Sequence, residues 1–284
     1  MKMMKRIVAF TLALTCMTAA ALADFDAGKL INVISREEGS GTRSAFVELT
    51  GVEQKVNDKK VDMTTEDAQI TNNTAVMLTT VAGDAYAIGY VSLGSMNDSV
   101  KAVSVESAAA SAENVANGSY KIARPFNIAY RDDAITELGK DFIAYVMSAE
   151  GQAIVAANGY VASSNTDAYA GSKPQGKLVI AGSSSVSPVM EKLAEAYQVL
   201  NTDAQIEIQT SDSTTGMTAA MDGGCEIGMA SRALKEAEAA QLTNVTIAMD
   251  GIAVIVNHEN PVTDLTVEQI GAIYTGDVMS WDEI

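Results

Sequence analysis

Ser35 to Phe46 reads SREEGSGTRSAF, and it follows a short apolar run, Ile31 to Ile34, with the pattern of a strand. Strand, Gly/Ser turn and helix start in that order put a row of free backbone N–H groups at the mouth of a helix, beside one guanidinium. The first four N–H groups of a helix lack intrahelical partners and carry partial positive charge, so such a turn can cradle an oxyanion. Gly39 and Gly41 let the backbone approach a ligand closely. Ser40 and Thr42 add hydroxyl donors, and Arg36 offers a planar fork suited to a tetrahedral anion. One such turn on its own is more often an ordinary helix cap than a binding site.

The pattern recurs twice further along. Lys177 to Ala181 reads as a strand, Gly182-Ser183-Ser184-Ser185 as a polar turn, and Ser187-Pro188 as a cap with Pro at the first helical position of a helix running to about Leu200. Gln205 to Gln209, QIEIQ, alternates as a strand does and leads through Ser211 to Gly216, SDSTTG, into a helix ending near Met221. Ligands in open α/β sheets collect beyond the carboxyl ends of the strands, so three such units can converge on one site. Ser40, Thr42, Ser184, Ser185 and Ser213 would then offer neutral donors around Arg36. Each hydrogen bond to a charged group contributes about 1.5–3 kcal/mol net, so a handful holds a small anion.

Between these units the spacing predicts loop over Gly51 to Asp67, a helix over Thr71 to Val81, and strands at Tyr86 to Val91 and Lys101 to Val105. Ser107 to Ala116 fits helix or loop. Tyr120 to Tyr130, YKIARPFNIAY, alternates and is broken by Pro125, as expected of an edge or crossover strand. Helices are predicted over Ile135 to Met147 and Glu150 to Ala157, and Ala162 to Gly176, ASSNTDAYAGSKPQG, has the composition of a linker.

Met1 to Ala23 carries Lys2, Lys5 and Arg6, an apolar run and then Ala21-Leu22-Ala23, the pattern of a secretory signal peptide. Cys16 follows Ala13-Leu14-Thr15, a poor lipid-attachment box, so simple cleavage is expected, with a lipid anchor at Cys16 as the alternative. Three of the 19 basic residues leave with that leader, and 16 basic against 36 acidic residues remain, a net charge of −20. Nucleic acid and anionic membrane surfaces are excluded as partners by that charge. An anion site must work against it through local dipoles in a closed cleft. Only Cys225 remains, so no internal disulfide forms, and a single His258 with one Cys makes neither a metal site nor a Ser/His/Asp set. No cofactor is expected.

KLVIAGSSSVSPVMEKLAEAY, EIGMASRAL, DGIAVIVNHENP, IYTGDVMSWDEI and NVISREEGSGTRSAF together closely resemble the phosphate-binding proteins of bacterial phosphate ABC importers. The resemblance covers nearly all of the chain after the leader. It implies an α/β, two-lobed periplasmic-binding-protein-like fold of type II, with mixed sheets flanked by helices and two crossover hinge strands, closing over one phosphate ion. By residue it points to Arg36, Ser40, Gly41, Thr42, Ser184, Ser185, Ser213 and Arg232 as ligand contacts. Glu38 is implied to orient Arg36 from behind, and Asp212 to accept the ligand's proton or cap a helix. The implied protein is extracytoplasmic, monomeric and not an enzyme, and serves a membrane permease.

The order of the parts departs from that family. Its members usually begin with the GSSSVSP half, whereas here SREEGSGTR comes first, so the chain resembles a circular permutation joined through residues 162–176. One lobe is then expected to be continuous over 124–251 and the other split between 24–123 and 252–284, with the hinge around Pro125 to Tyr130 and Ile252 to Asn257. Ile284 is expected near the start of the Ile31 to Ile34 strand. Some members of the family place an aspartate where Arg232 stands, to accept the hydrogen of HPO4 and reject sulfate. Binding of sulfate or another tetrahedral oxyanion is therefore one alternative. A phosphate-ester hydrolase is a second, opposed by the lack of a base beside any serine, and a structural surface protein is a third.

Overall fold

The computed structural model describes residues 25–164 and 167–284. The signal-peptide and Cys16 readings lie outside the described residues, as do positions 165 and 166 of the linker. In chain order the strands are β1 (Asn32–Arg36), β2 (Glu53–Val56), β3 (Lys59–Asp62), β4 (Gln69–Thr71), β5 (Ala87–Ser92), β6 (Lys101–Val105), β7 (Ala123–Tyr130), β8 (Val161–Ala162), β9 (Gly176–Ser183), β10 (Ala204–Ser211), β11 (Ile227–Ala230), β12 (Thr243–Val256) and β13 (Asp264–Leu265). The helices are α1 (Gly41–Leu49), α2 (Thr74–Ala82), α3 (Ala112–Ala116), α4 (Glu137–Val146), α5 (Ala149–Ala157), α6 (Ser187–Leu200), α7 (Ser213–Asp222), α8 (Glu236–Ala239) and α9 (Val267–Thr275).

Two sets of parallel strands lie at opposite ends of one curled sheet, ordered β10-β9-β11-β7-β12-β5-β1-β4. At one end β9 runs parallel to β10 and β11, and at the other β1 runs parallel to β4 and β5. The carboxyl ends of these strands lead into the Ser/Thr-rich turns. Antiparallel β7 and β12 join the two sets. β12 is long enough to serve both: Thr243 to Gly251 pair with β7, and Ile252 to Val256 pair with β5. Around this strand the apolar side chains separate into distinct cores. One gathers Phe126, Phe142, Tyr197, Ile180, Ile247 and their neighbours, all between Phe126 and Ala248. Another combines Ile31 to Ile122 with Ile252 to Trp281, and stacks Phe46 on Tyr90 at 4.0 Å.

Three sequence expectations need refinement. Residues 51–67 are not plain loop, because β2 and β3 form a hairpin around Asn57 and Asp58, which both take positive φ. Asn and Asp tolerate that backbone, so the Asn-Asp pair turns the hairpin where a Gly would announce it more plainly. Of the two readings of residues 120–130, edge or crossover strand, β7 takes the crossover: it lies between β11 and β12. Pro125 is tolerated because the β11 ladder covers only Asn127 to Ala129 and stops short of it. The crossing between cores falls at the rungs Ala123↔Gly251, Arg124↔Asp250 and Pro125↔Met249, so 126–130 and 252–257 belong to the cores on either side. At the chain's end, the Ile31 amide bonds the Met279 carbonyl (2.8 Å) and the Asp282 amide bonds the Ala27 carbonyl (2.9 Å), which lays the last residues beside the start of β1.

Candidate anion-binding site

β1 ends at Arg36, and the chain turns through Gly39 into α1. Gly39 has φ +93°, which a residue with a side chain rarely adopts, and Ser40 caps α1 by accepting the Arg43 amide at 3.3 Å. Across the cleft, β9 ends at Ser183, Ser184 and Ser185 form the turn, and α6 follows. Ser187 is not the cap expected of it: it lies inside the helix, and its hydroxyl donates to the Ser183 carbonyl at 3.1 Å. Ser213 opens α7, with Asp212 as its N-cap.

These turns meet. Thr42 Oγ1 is 2.8 Å from Ser185 Oγ, and an Arg36 terminal nitrogen donates to Ser184 Oγ at 3.1 Å. Thr214 donates through its amide (3.2 Å) and hydroxyl (3.1 Å) to the Gly39 carbonyl. Gly41 lies so close to the opposite wall that a Cβ there would sit 2.3 Å from Ser213 Oγ. Arg36, Ser40, Thr42, Ser184, Ser185 and Ser213 are all buried. Arg36, Thr42, Ser184, Ser185 and Ser213, five of the eight predicted contacts, bring side-chain donors together here, Gly41 adds its close approach, and the Ser40 hydroxyl is spent on capping α1.

Sequence reasoning missed three members. Ser231, at the end of β11, lies at the centre: its Oγ is 3.0 Å from Ser183 Oγ, 3.4 Å from Ser213 Oγ and 3.5 Å from Thr42 Oγ1. Ser183 was passed over within its own serine run. Thr74, at the start of α2, places its hydroxyl 3.4 Å from Ser184 Oγ. Only the Ala-Ser after an apolar strand hinted at Ser231, and nothing in the sequence marked Thr74 beyond an Asn-rich helix entry.

Two expected roles are corrected, and a third takes one of its two expected forms. Glu38 is exposed, and it is Glu37 that grips Arg36, with Nε and Nη2 each 2.7 Å from a carboxylate oxygen. A side chain two residues beyond Arg36 points away as the chain enters the turn, whereas the adjacent one folds back along it. Arg232 is buried but spends its fork on Glu238, at 2.7 and 2.8 Å, and touches the converging turns through the Thr214 hydroxyl, to which it donates at 3.3 Å. Burial works to raise the Glu238 carboxyl, but the Arg232 and Lys235 hydrogen bonds outweigh it and hold it below the usual range. Asp212 commits its oxygens to the Thr215 amide and hydroxyl at 2.9 and 2.5 Å, and so acts as a cap.

Arg36 is held from all sides. Its amide donates to the Tyr90 hydroxyl at 3.2 Å, and its carbonyl accepts from Arg43 at 2.8 Å. Burial pushes the Tyr90 phenol up to about 12, so it remains a neutral support. The ring's charges are thus paired, Arg36 with Glu37 and Arg232 with Glu238, and its remaining donors are hydroxyls and helix-terminal amides. Such a set attracts an anion without adding an unpaired buried charge. Among the described residues no carboxylate hydrogen-bonds a ring hydroxyl, and no group of three or more His, Cys, Asp or Glu is placed to hold a metal ion. His258 is exposed, with Nε2 2.9 Å from the Asp98 carbonyl.

A family model described as a PBP superfamily domain matches residues 14–150 and 167–283. The phosphate-binding protein PstS 2 of Streptococcus agalactiae serotype V is 52% identical over 256 residues, covering 89% of this chain and 87% of that relative. The chain belongs to the PBP superfamily, in the family of the PstS phosphate-binding proteins. Another PstS family member, PstS 2 of Streptococcus pneumoniae serotype 4, is 42% identical over 270 residues, covering 95% of this chain and 92% of its own length. The crystal structure of a phosphate-binding protein of a phosphate ABC transporter from Streptococcus pneumoniae superposes with a TM-score of 0.72 at 43% identity. That match covers 90% of this chain and 99% of the other. The PstS family fold is thus the α/β architecture seen here, and the hydroxyl ring sits where its two sets of parallel strands face each other.

Proposed function

We propose that this protein captures inorganic phosphate between two lobes outside the cytoplasm and presents it to the membrane permease of an ABC importer, without chemical turnover. The observation that carries this function is the ring itself: hydroxyls from both walls, Thr42, Ser184, Ser185, Ser213 and Ser231 among them, converge beside the buried, Glu37-paired Arg36. Relatives 52% and 42% identical, covered over most of their length, are named for phosphate binding, and a structural match is named as part of a phosphate ABC transporter. The lobes are residues 25–123 with 252–284, and 124–251, in accord with the separate apolar cores. Export by the leader, action as a monomer and a circularly permuted order belong to the same proposal. The permuted order is supported by the last residues lying against Ala27 and Ile31.

Calorimetric titration of unfolded, ligand-stripped and refolded protein with phosphate, then sulfate, on both sides of phosphate's second ionisation tests it. Saturable phosphate binding at one ion per chain, with no release of phosphate from a chromogenic ester, is the expected result. Turnover of the ester would instead assign a hydrolase, and no response to either ion would remove the anion site.

A further inference from the structure

We propose that Arg124 is a positioning residue for the ligand ring: it fixes Ser231 in place and, through Asp250, ties the ring to the two crossover strands. This inference rests on the ring being the ligand site. Arg124 and Asp250 are partners on the same rung of β7 and β12, at the point where both strands pass from one core to the other. They are 2% and 1% exposed. One guanidinium nitrogen of Arg124 donates to Asp250 Oδ2 at 3.0 Å, and another donates to the Ser231 carbonyl. The remaining oxygen of Asp250, Oδ1, accepts the Leu93 amide at 3.2 Å, from the far side of the crossing. One continuous path therefore runs from Leu93 through Asp250 and Arg124 to the backbone of Ser231, whose hydroxyl stands among Thr42, Ser183 and Ser213.

Stability alone does not explain this arrangement. A buried ion pair is often no more stable than an apolar pair of the same shape. Here the pair also sits among buried polar atoms with no hydrogen bond of normal geometry: Arg124 Nε, Ser92 Oγ, Ser95 Oγ and Tyr160 Oη. Tyr160 lies so close over Gly94 that a Cβ at Gly94 would fall 2.2 Å from its ring, so the two cores touch here behind the ring as well as across it. The charge is held in place by geometry, with the guanidinium 5.1 Å from the centre of the Phe126 ring. Arg124 also feels the field of Arg36: burial lowers its pKa to about 10, Asp250 opposes that and Arg36 adds to it. An anion in the ring is thus drawn by a second cation that does not touch it.

Asp250 is faced by Arg124 from β7, Tyr160 from the turn before β8, Tyr120 from the segment before β7, and Ser92 from β5. Burial raises its carboxyl to about 6 against the pull of Arg124. Protonation near that pH weakens the bond that holds the guanidinium, so the latch loosens as pH falls.

The test compares phosphate affinity in the parent, Arg124→Met, Arg124→Lys, Asp250→Asn and the double variant Arg124→Met/Asp250→Asn between pH 5 and 8. Thermal unfolding without ligand identifies which variants fold. The double variant removes both charges together, which keeps the fold accessible where a single change leaves an unpaired charge. Arg124→Met and the double variant are expected to bind about tenfold or more weakly at pH 7.5, the worth of one hydrogen bond to a charged group. Arg124→Lys recovers part of that loss. The affinity ratio of parent to Asp250→Asn cancels phosphate's own ionisation, and is expected to fall as pH drops through about 6. Parent-like affinity in a folded Arg124→Met or double variant, or a ratio constant across the range, overturns the inference. Failure of the parent itself to bind phosphate overturns the function it rests on.

Discussion

Gly41 is a glycine because the opposite wall of the cleft needs the space: a methyl group there would meet Ser213 Oγ at 2.3 Å and Ser231 Oγ at 2.8 Å. Gly41→Ala is therefore expected to cost about 1–3 kcal/mol of stability, which lowers the ligand-free melting temperature, and to weaken phosphate binding by about tenfold or more. Thermal shift with and without phosphate checks both halves, and a full ligand-induced shift would show that the walls do not close as described. Arg36→Ala removes the guanidinium that donates to the Ser184 hydroxyl and strands Glu37, and calorimetry should record a loss of about a hundredfold in affinity. Selectivity follows from the same residues. With Arg232 locked to Glu238 and hydroxyls able to donate or accept, sulfate should compete measurably for the site. A titration with no sulfate response at any concentration would instead assign a carboxylate acceptor, Glu37 on Arg36 being the first to replace.

At the scale of elements, residues 169–174 of the linker between β8 and β9 are strapped down. Asp141, from α4, accepts the Tyr169 hydroxyl, the Tyr197 hydroxyl (2.7 Å) and the Ser172 amide (2.8 Å), while Asn201 donates to the Pro174 carbonyl at 2.9 Å. Burial tends to raise the Asp141 carboxyl, but these hydrogen bonds prevail and hold it below its ordinary 3.8. A carboxyl lowered on folding stabilises the native state above its unfolded value, and that contribution disappears as pH falls through the folded value. Asp141→Asn should thus cost about 1–3 kcal/mol at pH 7, and the difference from the parent should shrink below about pH 4. Urea unfolding at several pH values measures this, and a pH-independent difference would discount the ionised network. Small, polar composition marked this stretch as a linker, but the two tyrosines and the aspartate that fasten it lie 28 and 56 residues apart and look unrelated in the sequence.

For the whole molecule, the fourteen residues of β12 and the β7 strand beside them make the connection on which any motion between the cores depends. Residues 279–282 run beside 27–31, so a re-cut chain that opens within residues 163–175 and joins Ile284 to Phe25 through a short flexible link should fold and bind phosphate as the parent does. Loss of binding in a folded re-cut protein would mean that the present order of the parts is itself needed by the site. Much of the α/β architecture was legible beforehand, α9 and the first half of β12 excepted, because most parallel units announce themselves by an apolar strand, a small polar turn and a capped helix. The hairpin at 53–62 was not, since a two-residue Asn-Asp turn between exposed, charged strands carries little apolar pattern.

The sequence by itself determined the local chemistry: which segments become strand and helix, which turns leave amides and hydroxyls free, and which residue, Arg36, brings the charge. Backbone sterics and capping act within a few positions, so they can be read along the chain. Only the tertiary structure decided the partners. Glu37 rather than Glu38 takes Arg36, Glu238 disarms Arg232, Ser231 stands at the centre of the ring, and Arg124 meets Asp250 at the crossing. The last two depend on where separate strands end relative to one another, and that is set by sheet pairing between residues more than a hundred positions apart.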